Sequence, residues 1–203
     1  MMRLATIMLL MSPLAVMAED FPARYAVSGV SSDNVLNIRA APGAGSARIG
    51  ELGPDTTDIE VLGLSENGRW GRIGMPEGNG WVAMRYLARQ DQPEGTVIPR
   101  PLSCRGTEPF WRIGLLSRGD IYERLGENPV DLDLVAERPG DNGYEADLSA
   151  PDGTGFSLVV ARGTCLDGMS DREFGWTGTL RIGGQGQDET LQGCCTLDHR
   201  QGE

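Results

Sequence analysis

The sequence predicts an all-β protein: a small barrel followed by a second, disulfide-tied antiparallel β-barrel or sandwich. Three observations carry this expectation. Apolar residues alternate with polar ones in short runs, the period of a half-buried strand. The 203-residue chain holds 29 glycines and 12 prolines but only 6% aromatics, a balance that favours many turns over long helices. All four cysteines, Cys104, Cys165, Cys194 and Cys195, fall in the second half. With 39% hydrophobic and 23% charged residues, the chain can bury a core and stay soluble, at one large or two small domains.

From Tyr25 to Leu87 the runs are Tyr25–Val30, Val35–Ala40, Arg48–Leu52, Ile59–Leu64, Trp70–Ile73 and Trp81–Ala83. Turn residues separate them, notably Ala41-Pro42-Gly43, Gly53-Pro54-Asp55, Glu66-Asn67-Gly68 and Glu77-Gly78-Asn79-Gly80. Asn67-Gly68 is a hairpin signal, because both residues tolerate positive φ. A unit this small has one marginal core, which suffices if Leu36, Ile38, Ile49, Val61, Trp70, Trp81 and Val82 all point inward. Residues Arg89 to Pro101, with Pro93, Pro99 and Pro101, read as a semi-extended linker.

The second unit, 102–199, shows seven runs: Phe110–Leu116, Asp120–Leu125, Val130–Ala136, Tyr144–Leu148, Gly155–Arg162, Phe174–Ile182 and Thr190–Thr196. In Val130-Asp131-Leu132-Asp133-Leu134 the apolar residues are expected to face a core and the carboxylates water. Turns such as Asp141-Asn142-Gly143 and Asp152-Gly153 join them as hairpins, in a sandwich or a small barrel.

Composition excludes whole reaction classes. The 18 positive residues are all arginine and the single histidine is His199. Without lysine there is no P-loop, Schiff base or Ser-Lys dyad, and one histidine cannot build a HExxH or three-histidine zinc centre. The net charge of −11, with no arginine run, speaks against nucleic acid and anionic lipid as partners. Met1 to Ala18 opens with Arg3, runs apolar from Leu4 to Leu14 and ends Val16-Met17-Ala18, the pattern of a secretory signal peptide cleaved after Ala18. A membrane anchor is the alternative; the stretch is short of the ~20 apolar residues it needs, and Pro13 interrupts it. The mature protein is therefore expected to be periplasmic or secreted, with no stable membrane anchor.

An even cysteine count behind an export signal reads as two disulfides. Adjacent Cys194 and Cys195 cannot pair with each other without strain, so one bridges to Cys104 and the other to Cys165, in either arrangement. A zinc site is the alternative, though no CxxC pair is present.

Five ordered blocks give the first unit a specific likeness: Val35-Leu36-Asn37-Ile38-Arg39-Ala40-Ala41-Pro42-Gly43, Ile49-Gly50-Glu51-Leu52, Glu60-Val61-Leu62-Gly63, Asn67-Gly68-Arg69-Trp70-Gly71-Arg72-Ile73 and Gly80-Trp81-Val82-Ala83-Met84-Arg85-Tyr86-Leu87. Residues 25–88 resemble the bacterial SH3 (SH3b, SH3 type 3) domain. The resemblance implies an SH3-like barrel and a non-catalytic module of a cell-envelope protein, many such modules binding peptidoglycan or peptide. In the second unit, Cys104-Arg105-Gly106-Thr107-Glu108-Pro109-Phe110-Trp111, Cys165-Leu166-Asp167-Gly168-Met169-Ser170-Asp171 and Leu191-Gln192-Gly193-Cys194-Cys195 resemble an exported proteobacterial domain of uncharacterised activity. That likeness implies location and fold, not a reaction. The unit is also similar, less closely, to the disulfide-tied barrels of periplasmic lysozyme inhibitors.

Candidate sites follow. Asn37, Arg39, Trp70, Trp81 and Tyr86 are expected at a ligand groove, where Arg39 can grip a carboxylate with two parallel bonds. Against this, both tryptophans read as core residues, Trp81 above all in its Gly-Trp-Val strand, and Arg39 equally pairs with Glu51 or Glu60. In the second unit Glu108, beside Phe110 and Trp111, suits a general acid with Asp167 or Asp171 as partner. The bland reading makes Phe110 and Trp111 barrel plugs with Glu108 at the rim, and Asp167-Gly168-Met169-Ser170-Asp171 a turn bonding its own backbone. Calcium on Asp167 and Asp171 lacks the ligand count of a twelve-residue loop. Cys-His catalysis is rejected, because the cysteines are expected oxidised and His199 is nearly terminal.

The expectation is thus an exported, non-catalytic envelope protein binding peptidoglycan or a wall-associated peptide or protein, without cofactor. The alternatives are a carboxylate-dependent glycan hydrolase or an inhibitor-like activity in the second unit. The ligand and the oligomeric state stay open at this stage.

Overall fold

The computed structural model describes residues 21–92, 95–184 and 187–198; the expected signal peptide with its cleavage site, and His199, lie outside the described residues. The first sheet comprises β1 (Ala23–Val27), β2 (Leu36–Arg39), β3 (Arg48–Leu52), β4 (Ile59–Leu64), β5 (Trp70–Met75), β6 (Gly78–Ala83), a single 3-10 turn (Met84–Tyr86) and β7 (Leu87–Arg89). Its seven antiparallel strands run in the order β3-β2-β6-β5-β4-β1-β7. The sheet wraps one core that includes Tyr25, Leu36, Ile38, Ile59, Val61, Ile73 and Val82. The β4–β5 hairpin turns at Asn67-Gly68 as the sequence signals, but only Gly68 takes the left-handed conformation, with φ +68°. Asn67 instead accepts the Arg69 N–H on its side-chain oxygen.

Three expected core residues are corrected. On β6, Gly80 and Val82 alternate inward, so Trp81 stands half-buried on the outer face; on β5, Gly71 and Ile73 do the same to Trp70. Ile49 is 46% exposed because β3 is an edge strand that buries only its last residue, Leu52.

The second sheet comprises β8 (Leu102–Thr107), β9 (Phe110–Leu116), β10 (Gly119–Arg124), β11 (Val130–Gly140), β12 (Gly143–Ser149), β13 (Gly155–Leu166), β14 (Glu173–Gly184) and β15 (Gln187–Thr196). It is a closed eight-stranded antiparallel barrel, which settles the choice between barrel and sandwich. The strand absent from the sequence reading is β8, which pairs with β15 and β9 and closes the ring. The barrel is filled by Trp111, Ile113, Leu115, Phe156, Leu158, Val160, Trp176 and Leu180 among others. The alternation Val130 to Leu134 fails at its end: the register slips between Leu134 and Ala136, and Leu134 is 42% exposed.

Cys104 bridges to Cys195 and Cys165 to Cys194, so all four cysteines are oxidised and the zinc alternative falls. The bridges span 91 and 29 residues. Loop-closure entropy puts their stabilisation at no more than about 4.6 and about 3.6 kcal/mol.

The segment between the sheets is anchored. Ile98 is fully buried in the barrel core, and the Val97 N–H donates to Glu137 Oε1 at 2.7 Å. Arg100 is buried against Asp120 at 2.7 Å, while its carbonyl accepts the Arg24 guanidinium of β1.

The two sheets meet at Glu60. Ile59 and Val61 of β4 point into the first core, so strand alternation sends Glu60 out through the opposite face and into the barrel. It is 1% exposed. Its Oε1 accepts the Trp176 indole N–H and the Leu197 backbone N–H, each at 3.0 Å, and its Oε2 accepts the Thr196 hydroxyl at 2.6 Å. Around it, Asn79 accepts the Glu173 N–H at 2.9 Å, and Arg72 pairs with Glu173 at 2.6 Å. Gly175 makes this approach feasible, since a Cβ there would lie 2.0 Å from a carbon of Pro22 and 3.1 Å from one of Leu62. Burial pushes the Glu60 carboxyl up to about 7, with Asp198 adding to the rise, against the opposing effects of the Thr196 and Leu197 hydrogen bonds and the Arg172 charge.

A folded-state value above the ordinary 4.5 makes the contribution of Glu60 greatest at acid pH. Between those two values the folded protein keeps a proton that the unfolded chain has released, so stability falls as pH rises and levels off above about 7. The loss is on the order of 3 kcal/mol. Urea unfolding at pH 5 and pH 8 is expected to show a lower midpoint at the higher pH. Glu60→Gln, which keeps two acceptor bonds and donates to Thr196, should remove that part of the difference; an unchanged difference refutes the assignment.

Candidate functional site

The first sheet carries a cleft of about 350 Å³. Asn37 and Arg39 reach it from β2, where Leu36 and Ile38 point inward and so turn the two polar residues to the outer face. Val30, Ser31 and Asn34 come from the β1–β2 connection, Trp70 from the start of β5, and Arg85 and Tyr86 from the 3-10 turn after β6. The cleft therefore gathers four of the five residues expected at a groove. Trp81 is not among its lining residues, although it lies opposite Arg39 in the β2–β6 pairing.

Neither carboxylate expected to compete for Arg39 does so. Glu51 pairs with Arg48, and Glu60 is committed to the barrel. Arg39 instead donates to the Ser46 carbonyl at 2.9 Å, which holds its guanidinium beside the cleft. Sequence reasoning missed Arg85, whose guanidinium carbon sits 4.7 Å from the Tyr86 ring centroid. Its signal was adjacency to Tyr86, but strand alternation does not apply in a 3-10 turn, so nothing in the pattern chose it. Among the described residues no aspartate or glutamate lines the cleft, and neither Arg39 nor Arg85 has a carboxylate partner. A positive cleft in a protein of net charge −11 concentrates attraction for anions at that point. Asn37 adds a buried Oδ1 without a hydrogen-bond partner, an acceptor facing a cost on the order of 1–3 kcal/mol until a donor arrives.

In the second unit Phe110, Trp111, Asp167, Met169 and Ser170 line one groove of about 740 Å³, completed by Pro76 and Glu77 from the β5–β6 turn. The two aromatics separate: Trp111 is 3% exposed in the barrel core, while Phe110, one residue earlier on β9, is 47% exposed outside it. Glu108 and Asp171 are both exposed and outside the lining, so the structure does not assemble Glu108, Asp167 and Asp171 around one cleft. Glu108 also lacks the apolar enclosure expected of it.

Asp167 is occupied locally. Its Oδ1 accepts the N–H groups of Met169 and Ser170 at 3.0 and 3.1 Å and the Ser170 hydroxyl at 3.3 Å. Partial burial pushes this carboxyl up, but those donors and the Arg172 charge outweigh it and hold it below the usual carboxylate range. The Thr107 hydroxyl donates to the Asp167 carbonyl at 3.3 Å, tying the turn to β8. Among the described residues, no group of three or more His, Cys, Asp or Glu is placed to hold a metal ion.

Residues 34–88 match the family model of the bacterial SH3 domain, which covers all five blocks completely and all the cleft-lining positions from Asn34 to Tyr86. No curated protein and no solved structure matches the chain. The SH3 match and the two disulfides are compatible with an extracytoplasmic protein, and among the described residues no helix is long and apolar enough to cross a membrane.

Asp167→Ala removes three hydrogen bonds from the turn and is expected to cost about 1–2 kcal/mol. Limited proteolysis should then cut first between Leu166 and Arg172. Protection equal to the parent protein would show that the turn does not depend on this carboxylate.

Proposed function

We propose that this is an exported, non-catalytic envelope protein whose SH3 unit binds peptidoglycan or a wall-associated peptide through the Arg39–Arg85 cleft. The observation that carries this reading is the arginine-flanked cleft, lined by no carboxylate among the described residues, on an otherwise strongly acidic molecule. Peptide stems of the wall present carboxylates and amides, which such a cleft can take up by charge-assisted hydrogen bonds. Trp70 and Tyr86 offer amphipathic rings with little side-chain entropy to lose. Support for export comes from the leader-like pattern of Met1 to Ala18 and from the two disulfides, which persist in oxidising compartments. Support for binding without catalysis comes from the absence of lysine and from there being a single histidine, His199.

Mature protein beginning at Glu19 is expected to co-sediment with purified wall sacculi at low salt. Arg39→Ala and Tyr86→Ala should each weaken that by roughly tenfold, corresponding to about 1.4 kcal/mol. Absence of sedimentation by the parent protein would remove the wall as ligand.

A further inference from the structure

We infer that the cleft of the first sheet is a clamp for a peptide carboxylate, held between Arg39 and Arg85 while a neighbouring amide N–H of the same ligand donates to Asn37 Oδ1. This rests on the reading of the cleft as the binding site and specifies the chemistry it selects. Asn37 and Arg39 stand two residues apart on β2 and face the same side, roughly 7 Å from each other along the strand. That spacing suits one repeat of an extended peptide, with its carboxylate at the guanidinium and its amide one residue back at the acceptor.

Both cations are pre-positioned. Ser46 holds Arg39 through its carbonyl, and Arg85 lies over the Tyr86 ring, so neither long side chain must be ordered from a freely rotating state on binding. Among the described residues no carboxylate lines the cleft, so an incoming one meets two charges without an ion-pair partner and no like charge. The Asn37 acceptor separates a peptide from other anions. Phosphate and sulfate supply negative oxygens but no N–H, whereas a peptide answers the arginines and the orphan oxygen together.

Three short probes test this by titration of the mature protein, followed through tryptophan fluorescence because Trp70 lines the cleft. N-acetyl-triglycine carries a terminal carboxylate, N-acetyl-Gly-Glu-Gly-amide a side-chain carboxylate, and N-acetyl-triglycine-amide neither. At least one carboxylate probe is expected to bind tenfold or more tightly than the neutral one, and whichever does so identifies the carboxylate's source. Arg39→Gln and Arg85→Gln should each erase most of that preference. Raising the salt from about 10 mM to about 150 mM, which shortens the screening length from ~30 to ~8 Å, should do likewise. Equal binding of all three probes, no binding of either carboxylate probe at millimolar concentration, or a preference that survives both substitutions overturns the clamp. Sedimentation with sacculi in the face of such a result would leave the wall reading standing without it. Carboxylate preference without sedimentation would keep the clamp and remove the wall.

Discussion

The arrangement of the molecule depends on one buried carboxylate. Glu60 leaves its own sheet through the outer face, enters the barrel and accepts hydrogen bonds from Trp176, Thr196 and Leu197. A buried ionised carboxylate is costly unless its oxygens are satisfied, and three donors placed on two different strands and the exit of one of them satisfy it only in a single docking pose. The same three bonds can be kept by the neutral acid, whose hydroxyl then donates to the Thr196 oxygen. The junction therefore tolerates both protonation states while the balance between them moves with pH.

Around that contact the outer face of the first sheet is divided between two tasks. Glu60, Arg72 and Asn79 face the barrel; Asn37, Arg39, Arg85 and Tyr86 face the cleft. The two sets share no residue. A ligand in the cleft thus need not break the junction, and the anchored connection through Ile98 and Arg100 holds the units further. The disulfides act within the barrel alone: Cys104–Cys195 crosslinks the closing pair β8 and β15, while Cys165–Cys194 ties the end of β13 to the same strand.

Strand alternation and turn chemistry made most of the architecture legible in the sequence, because both act over a few residues. Arg48–Leu52, Ile59–Leu64 and Phe110–Leu116 form at the expected bounds. What escaped depends on partners distant along the chain. β8 follows Pro101 and contains Cys104 and Gly106, so it looks like a motif until β15 arrives to pair with it. Ile49 reads as core until β3 is seen to lie at the sheet edge. Glu60 looks like an exposed strand carboxylate, and only partners 116 to 137 positions away explain its burial. At the cleft, Asn37 and Arg39 were legible from their shared strand face, whereas Arg85 depends on a 3-10 turn that no period-two pattern describes.

The arginines show how the cleft differs from the rest of the surface. Arg24, Arg72, Arg100, Arg112, Arg124, Arg138 and Arg172 each lie within ion-pair distance of a carboxylate, as expected where acidic residues outnumber basic ones by 29 to 18. Two arginines that line one cleft without an acid partner among the described residues make a local field of opposite sign to the whole. Exposed ion pairs contribute little to stability, so leaving Arg39 and Arg85 without one costs the fold little. What it preserves is binding capacity: the carbonyl of Ser46 and the ring of Tyr86 order the two guanidiniums without neutralising them, and their charge stays available to a carboxylate from outside the chain.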